Sequence, residues 1–257
     1  MTGRVAVVTG ANRGIGRAIA VALAAGGFTV AATARDPATL SDTCEQARKT
    51  GATEITALAC DVRDEDSVAT MAAEARALGP VHTVVANAGV AGPTAAMHEL
   101  SLAQWRDTLA ADLDGVFLTF RAFVPDLVAR RCGSLIAISS VTGKRPLYGR
   151  TPYAAAKLGV IGLVRTLALE LGPHQVRVNA VCPGAVTGPR IDDVIAKQAA
   201  ALGVTEDEAR AARINAAPLR RLVTADEVAE ACAFLASDAA ASITGEDLNV
   251  SAGAVMY

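Results

Sequence analysis

Short, mostly apolar runs rich in β-branched and small residues recur along the chain, separated by longer alanine-rich stretches with helical spacing. The runs fall at 5–8, 28–33, 54–60, 82–86, 134–139, 177–181 and 247–250, and they predict seven strands. They are apolar throughout rather than alternating, as expected of parallel strands covered by helices on both faces. Between them, helical patterns occupy roughly 14–25, 37–50, 64–78, 101–130, 152–171 and 225–236. Several helix starts are legible: Ser101-x-x-Gln104 and Thr224-x-x-Glu227 fit capping boxes, and Thr151-Pro152 fits an N-cap followed by proline at the first helical position. Strand and helix alternating this regularly predict a doubly wound, Rossmann-like α/β parallel sheet, with residues 1–257 forming a single domain. One irregular region, about 184–223, holds two short helical patterns, the second opened by Thr205-x-x-Glu208. Loops over the carboxyl ends of parallel strands are where ligands bind, so this insertion is a candidate substrate lid.

Composition narrows the function classes. Of 257 residues, 52% are hydrophobic and 19% charged, and 24 basic against 26 acidic side chains leave a net charge of −2. Nothing in that balance suggests a nucleic-acid or anionic-membrane surface. Cys44, Cys60, Cys132, Cys182 and Cys232 are scattered, odd in number and without a C-x-x-C pair, which argues against a disulfide framework or a metal site and for a reducing compartment. The apolar run after Arg4 is too short for a signal peptide, and the longest uncharged stretch, Ala18 to Ala34, is interrupted by Gly26-Gly27 and too short to span a bilayer. The expected location is cytoplasmic.

The segment Thr9-Gly10-Ala11-Asn12-Arg13-Gly14-Ile15-Gly16 directly follows the first strand and opens the first helix. Glycines there permit a tight turn and let a pyrophosphate approach backbone N–H groups at the positive end of the helix. A tight strand-to-helix turn alone would need similar glycines, and the spacing is not the commoner G-x-G-x-x-G. Arg35 lies just after the second strand and Arg13 within the turn, so two guanidiniums bracket the place of an adenosine ribose. Arginine there suits a 2′-phosphate and favours NADP(H); Asp36, one residue on, would instead favour NAD(H). Asp61-Val62, ending the third strand, suits the adenine amino group and ring, or alternatively Asp61 caps the next helix.

Tyr153 and Lys157 are four residues apart near the start of a helix and so share a face. A phenol with a pKa of about 10 becomes a usable proton carrier when a cation favours its ionised form, which makes Tyr153 a candidate general acid/base. Ser140, at the carboxyl end of the fifth strand, could hydrogen-bond a substrate oxygen.

In this order of motifs, Thr9-Gly10-x-x-x-Gly14-Ile15-Gly16, Asp61-Val62, Asn87-Ala88-Gly89, Ser140, Tyr153-x-x-x-Lys157 and Pro183-Gly184-x-x-Thr187, the chain resembles the short-chain dehydrogenase/reductase family of the classical, FabG-like type over essentially its whole length. The resemblance implies an NAD(P)-dependent oxidoreductase that interconverts a secondary alcohol and a ketone. Tyr153 would be the acid/base, Ser140 would polarise the carbonyl, and Lys157 would lower the tyrosine pKa and hold the nicotinamide ribose. It also implies Asn87 beside the cofactor, Pro183 to Thr187, with Val186, against the carboxamide, and a homotetramer. Ala154, Ala155, Ala156, Gly159 and Gly162 give the catalytic helix a small-residue face suited to close packing between subunits. The sequence departs from the family at Asp112-Leu113-Asp114-Gly115, where Asn is usual in place of Asp112 and its main-chain carbonyl holds a relay water. A carboxylate near Lys157 would blunt that cation's effect on Tyr153 unless protonated or turned away.

Alternatives remain within and beyond this class. A 3-oxoacyl-(acyl-carrier-protein) reductase would need a basic docking face, for which Arg130-Arg131 is the candidate, and the same fold could serve a non-catalytic dinucleotide sensor. Between Ser140 and Tyr153 the chain carries Lys144, Arg145 and Arg150 and no acid, and Arg190 follows in the lid beside Asp192 and Asp193. Those cations suggest an anionic substrate, or else a solvated or subunit-contacting loop.

Overall fold

The computed structural model describes residues 3–51 and 54–257. Its strands are β1 (Val5–Val8), β2 (Thr29–Ala34), β3 (Ile55–Ala59), β4 (Val81–Ala86), β5 (Gly133–Ile138), β6 (Val176–Pro183) and β7 (Asp247–Val250). They form one sheet in the order β3-β2-β1-β4-β5-β6-β7, and every neighbouring pair is parallel. The apolar runs of β1, β2, β4, β5 and β6 follow from this architecture, because side chains alternate between two faces that are both covered, while the edge strands β3 and β7 are partly exposed, and β7 carries Asp247 and Asn249. Val5 and Val7 of β1 join one core with Val68 and Met71 of α3 (Glu65–Ala77), Phe120 and Phe123 of α5 (Gly115–Arg130), and Val160 and Val164 of α6 (Thr151–Leu171). Ala6 and Val8 point the other way, into a core with Ile19 and Leu23 of α1 (Gly14–Ala25) and Val228 and Leu235 of α9 (Ala225–Ala236).

Two expected helices are subdivided. The stretch at 37–50 begins as a 3-10 turn, Pro37–Leu40, capped by Asp36, and continues as α2 (Ser41–Lys49). The stretch at 101–130 is α4 (Leu102–Leu109), a π-helical turn at Ala110–Asp114, and α5. A π turn inserts one residue without breaking the helix, so apolar spacing alone does not reveal it. The three capping boxes form as expected at Ser101, Thr205 and Thr224. Region 184–223 contains α7 (Pro189–Leu202) and α8 (Glu206–Ala216), which share a small core of Ile195, Ala199 and Ala209. Among the described residues, no helix is long and apolar enough to cross a membrane.

Candidate active site

Strand order reverses between β1 and β4, and the loops leaving their carboxyl ends are bound together there. The Thr9 hydroxyl accepts hydrogen bonds from the backbone N–H groups of Asn87 and Ala88, both at 3.0 Å. The Asn87 amide donates to Thr9 O at 2.8 Å and Gly10 O at 3.1 Å. Asn87 thus braces the glycine turn from below. Gly10 has φ +64°, and a methyl there would stand 2.9 Å from Ala88 Cα, while one on Gly16 would overlap Gly10 O and the Asn87 amide. Gly14, with φ +52°, has no neighbouring atom within 4 Å of the place a Cβ would take. The first turn of α1 has neither a side-chain cap nor an acidic residue. Uncapped N–H groups beside open space are a ready anion site, and this cradle fits a dinucleotide pyrophosphate.

Farther along the same edge, Arg13 and Arg35 are exposed. The Asp36 carboxylate turns back and accepts the Ala38 N–H at 3.0 Å, capping the 3-10 turn. Asp61 accepts from Arg63 at 3.0 and 2.7 Å, and that guanidinium, with Arg35 as a smaller contributor, holds its carboxyl below the usual range. Asp64, not Asp61, caps α3. Val62 is buried, and a methyl on Gly115 would press within 2.7 Å of its side chain, so the start of α5 rests on it.

Ser140 follows β5, and its hydroxyl accepts the Thr142 N–H at 3.1 Å, capping a short 3-10 turn, Val141–Gly143. That turn lies directly on α6: a methyl on Gly143 would stand 2.8 Å from the Lys157 carbonyl carbon. The neighbouring Ser139 hydroxyl donates to Lys157 O at 2.7 Å. The segment bearing Ser140 is therefore fixed against the helix bearing Tyr153 and Lys157. Lys157 is buried, lies 5.6 Å from the centre of the Tyr153 ring, and donates to Ile138 O at 3.0 Å.

Asp112, in the π turn, is fully buried and stands 3.3 Å from the Lys157 ammonium through Oδ1, which also accepts the Val90 N–H at 3.2 Å. Its side chain is therefore not turned away. A methyl on Gly89 would overlap Oδ1, so the third residue of Asn87-Ala88-Gly89 must be small for this carboxylate to enter.

Arg150 also enters the site, in a way that its sequence position only hints at. It is 3% exposed, its guanidinium carbon is 4.7 Å from the centre of the Tyr153 ring, and it donates to Ala91 O. Burial pulls its pKa down, while the adjacent Tyr153 acts in the opposite sense. Lys144, by contrast, leaves the site. It pairs with Asp247 at 2.5 Å and donates to Asn249 and to Tyr257 O, clasping β7 and the chain end. Arg145 is exposed, 3.5 Å from Ala254 O. The cationic loop expected to border the substrate therefore contributes one arginine, because an unpaired ammonium gains more from buried acceptors than from the open cleft.

On the far side, Gly184 N–H donates to Val250 O at 2.9 Å, and a methyl at Gly184 would stand 3.0 Å from Ser251 Cα. Val186 bridges Val223, and Thr187 N–H donates to Val223 O at 2.8 Å, so the two ends of the helical insertion meet beside the strand edge. The small residues of α6 do not share one face. Ala156 is buried and Gly159 lies against Leu113, whereas Ala155 and Gly162 point outward with the exposed Leu158 and Leu169.

A family model described as enoyl-(acyl carrier protein) reductase matches residues 10–255. The chain belongs to the classical short-chain dehydrogenase/reductase family. It is 38% identical over 251 residues to cis-4-hydroxycyclohexanecarboxylate dehydrogenase of Sinomonas cyclohexanicum, covering 97% of this chain and 96% of that protein. It is 35% identical to the 3-oxoacyl-(acyl-carrier-protein) reductase of Salmonella typhimurium, over 99% of this chain and 98% of the relative. Among solved structures, this dehydrogenase/reductase superposes on actinorhodin polyketide ketoreductase with NADPH at a TM-score of 0.94 and 35% identity, with all of both chains covered. NAD+-bound xylitol dehydrogenase gives 0.93 at 27% identity, covering 98% of this chain and 99% of that one. The short-chain dehydrogenase/reductase family uses NAD(P)(H), and both forms of the cofactor occur among these neighbours.

Proposed function

We propose that this protein is an NADP(H)-dependent oxidoreductase that interconverts a small secondary alcohol and its ketone. The observation that carries the reading is the junction of the Ser140 turn with the Tyr153 and Lys157 helix, at the sheet edge that also presents the uncapped start of α1. A nicotinamide cofactor, when bound, would supply or accept the hydride. Tyr153 gives its phenolic proton to the carbonyl oxygen in reduction and removes it in oxidation, with Ser140 donating to the same oxygen. Lys157 stabilises the phenolate and would hold the ribose of a bound nicotinamide cofactor; the stretch Pro183, Gly184, Val186 and Thr187 would border its carboxamide, and α7 and α8 would act as the lid. The engagement of Asp36 with Ala38 leaves Arg35 and Arg13 as the ribose-facing groups, which supports NADP(H) over NAD(H).

The relative from Sinomonas is named for a ring alcohol bearing a carboxylate, which supports a free small molecule as substrate. The acyl-carrier reading draws on the Salmonella relative. The expected docking pair does not favour it, because Arg130 donates to Val81 O and Arg131 to Pro173 O at 2.9 Å. The exposed Leu158 and Leu169 of α6 suit burial in a homotetramer, and the unpaired thiols suit the cytoplasm. The test is consumption of NADPH and, in parallel, NADH with a panel of ketones and an acetoacetyl thioester. Turnover of ketones with NADPH is the expected result; reduction of the thioester alone would give the assignment to the acyl-carrier reading.

A further inference from the structure

We propose that Arg150, Arg190 and Arg213 form an anion subsite between Tyr153 and the helical insertion, and that the substrate carries a carboxylate received there. This deepens the reading above and rests on it for the position of the reacting carbon. The three guanidiniums come from three elements: Arg150 from the residue preceding α6, Arg190 from the first turn of α7, and Arg213 from α8. Two of them converge on one loop, since Arg150 donates to Ala91 O and Arg190 reaches Gly89 O at 3.5 Å. Arg213 donates to the side-chain oxygen of the buried Gln198, whose amide in turn reaches Tyr148 O at 3.4 Å, tying α8 and α7 to the segment that precedes the catalytic helix.

Arg150 and Arg190 are short of partners, whereas Arg213 also donates to Ala209 O at 3.4 Å. Among the described residues, Arg150 Nε is buried without an acceptor, and Arg190 makes a single contact, at the long limit of a hydrogen bond. The neighbouring acids that would neutralise Arg190 are engaged elsewhere, Asp192 with Arg210 at 2.6 Å and Asp193 with Lys197 at 2.7 Å. Asp112 is held by Lys157 and the Val90 N–H. Burial acts against the charge of both Arg150 and Arg213, and each also feels another guanidinium of the group, Arg190 in the first case and Arg150 in the second, while Tyr153, Asp112 and Asp193 offset this only in part at Arg150. Holding the buried Arg150 and the half-buried Arg213 beside the exposed Arg190 is costly unless an opposite charge joins them, and planar guanidiniums match a carboxylate. Arg213 could not be read from the sequence, because only the packing of α8 on α7 returns it towards the segment that precedes α6.

The experiment is calorimetric binding of butanoate, cyclohexanecarboxylate and benzoate, each against its primary amide, to the full chain with and without NADP+. At least one acid is expected to bind about tenfold or more tightly than its amide, the scale of one charge-assisted hydrogen bond. That ratio should collapse in Arg213→Gln and in Arg190→Gln but persist in Arg145→Gln, which lies against the chain end. No acid-over-amide preference in any pair, or a preference untouched by both substitutions, overturns the subsite. NADPH consumption with cyclohexanone, measured on the same protein, reports the reaction separately. Turnover without an acid preference removes the subsite alone, and an acid preference without turnover of any ketone removes the oxidoreductase reading while the subsite stands.

Discussion

Asp112 holds its carboxylate 3.3 Å from the ammonium of Lys157, with both side chains buried and the second carboxylate oxygen without a hydrogen-bond partner. The cation that should favour the Tyr153 phenolate therefore shares its field with an acid, while the Arg150 guanidinium, 4.7 Å from the same ring, adds positive charge back.

Replacing Asp112 by Asn should keep the bond from Val90 N–H and remove the negative charge. Activity at neutral pH is expected to be retained or raised, because the acid that shares the field of Lys157 is gone. A kcat profile across pH checks this; a severe loss in a folded variant would instead give the carboxylate a proton-transfer role of its own.

Tyr153→Phe removes the proton carrier and keeps the ring on which Arg150 stacks. Turnover should fall by about 10²–10⁴-fold while NADPH affinity, followed by fluorescence titration, stays near wild type. Retention of more than about a tenth of kcat would contradict the acid/base role.

At the adenosine end, Arg35→Asp combined with Arg13→Ala should shift preference towards NADH. Loss of either arginine alone should weaken NADPH by roughly 10–150-fold, corresponding to about 1.5–3 kcal/mol for a charge-assisted bond. The ratio of kcat/KM for the two cofactors reads the outcome. A wild type that already prefers NADH would move the ribose contact to Asp36.

Stability should carry a distinct histidine signature. Burial, aided by the charge of Arg4, pushes His82 down to about 4 from an ordinary value of about 6.5. The unfolded chain then binds the extra proton first, so stability is full above about pH 6.5 and is lost as pH falls towards about 4. Because the ring is partly exposed, we expect a loss of about 1–2 kcal/mol from this group. Urea unfolding at about pH 7.5 and pH 5 should show His82→Gln losing correspondingly less than wild type; equal losses would count against the assignment.

The interior of the sheet was legible in the chain, because the apolar runs of β1, β2, β4, β5 and β6 call for burial on both faces and that pattern is local to each run, whereas the edge strands β3 and β7 stay partly exposed. The sequence by itself also determined the glycine turn and the start of α6, where Gly10, Gly14, Gly16, Tyr153 and Lys157 act at spacings of one helical turn or less. Tertiary structure decided what depends on elements distant in the chain. The π turn within 101–130 sets which way Asp112 faces, and Gly89 leaves the space that lets it meet Lys157. Lys144 and Arg150 lie in one loop with similar charge, yet one clasps β7 and the other covers Tyr153, according to which buried carbonyls and carboxylates each can reach. Arg213 joins the site only because α8 folds back over α7. Local period and capping chemistry are written in near neighbours, whereas the pairing of buried charges is settled by desolvation among groups that the completed fold brings together.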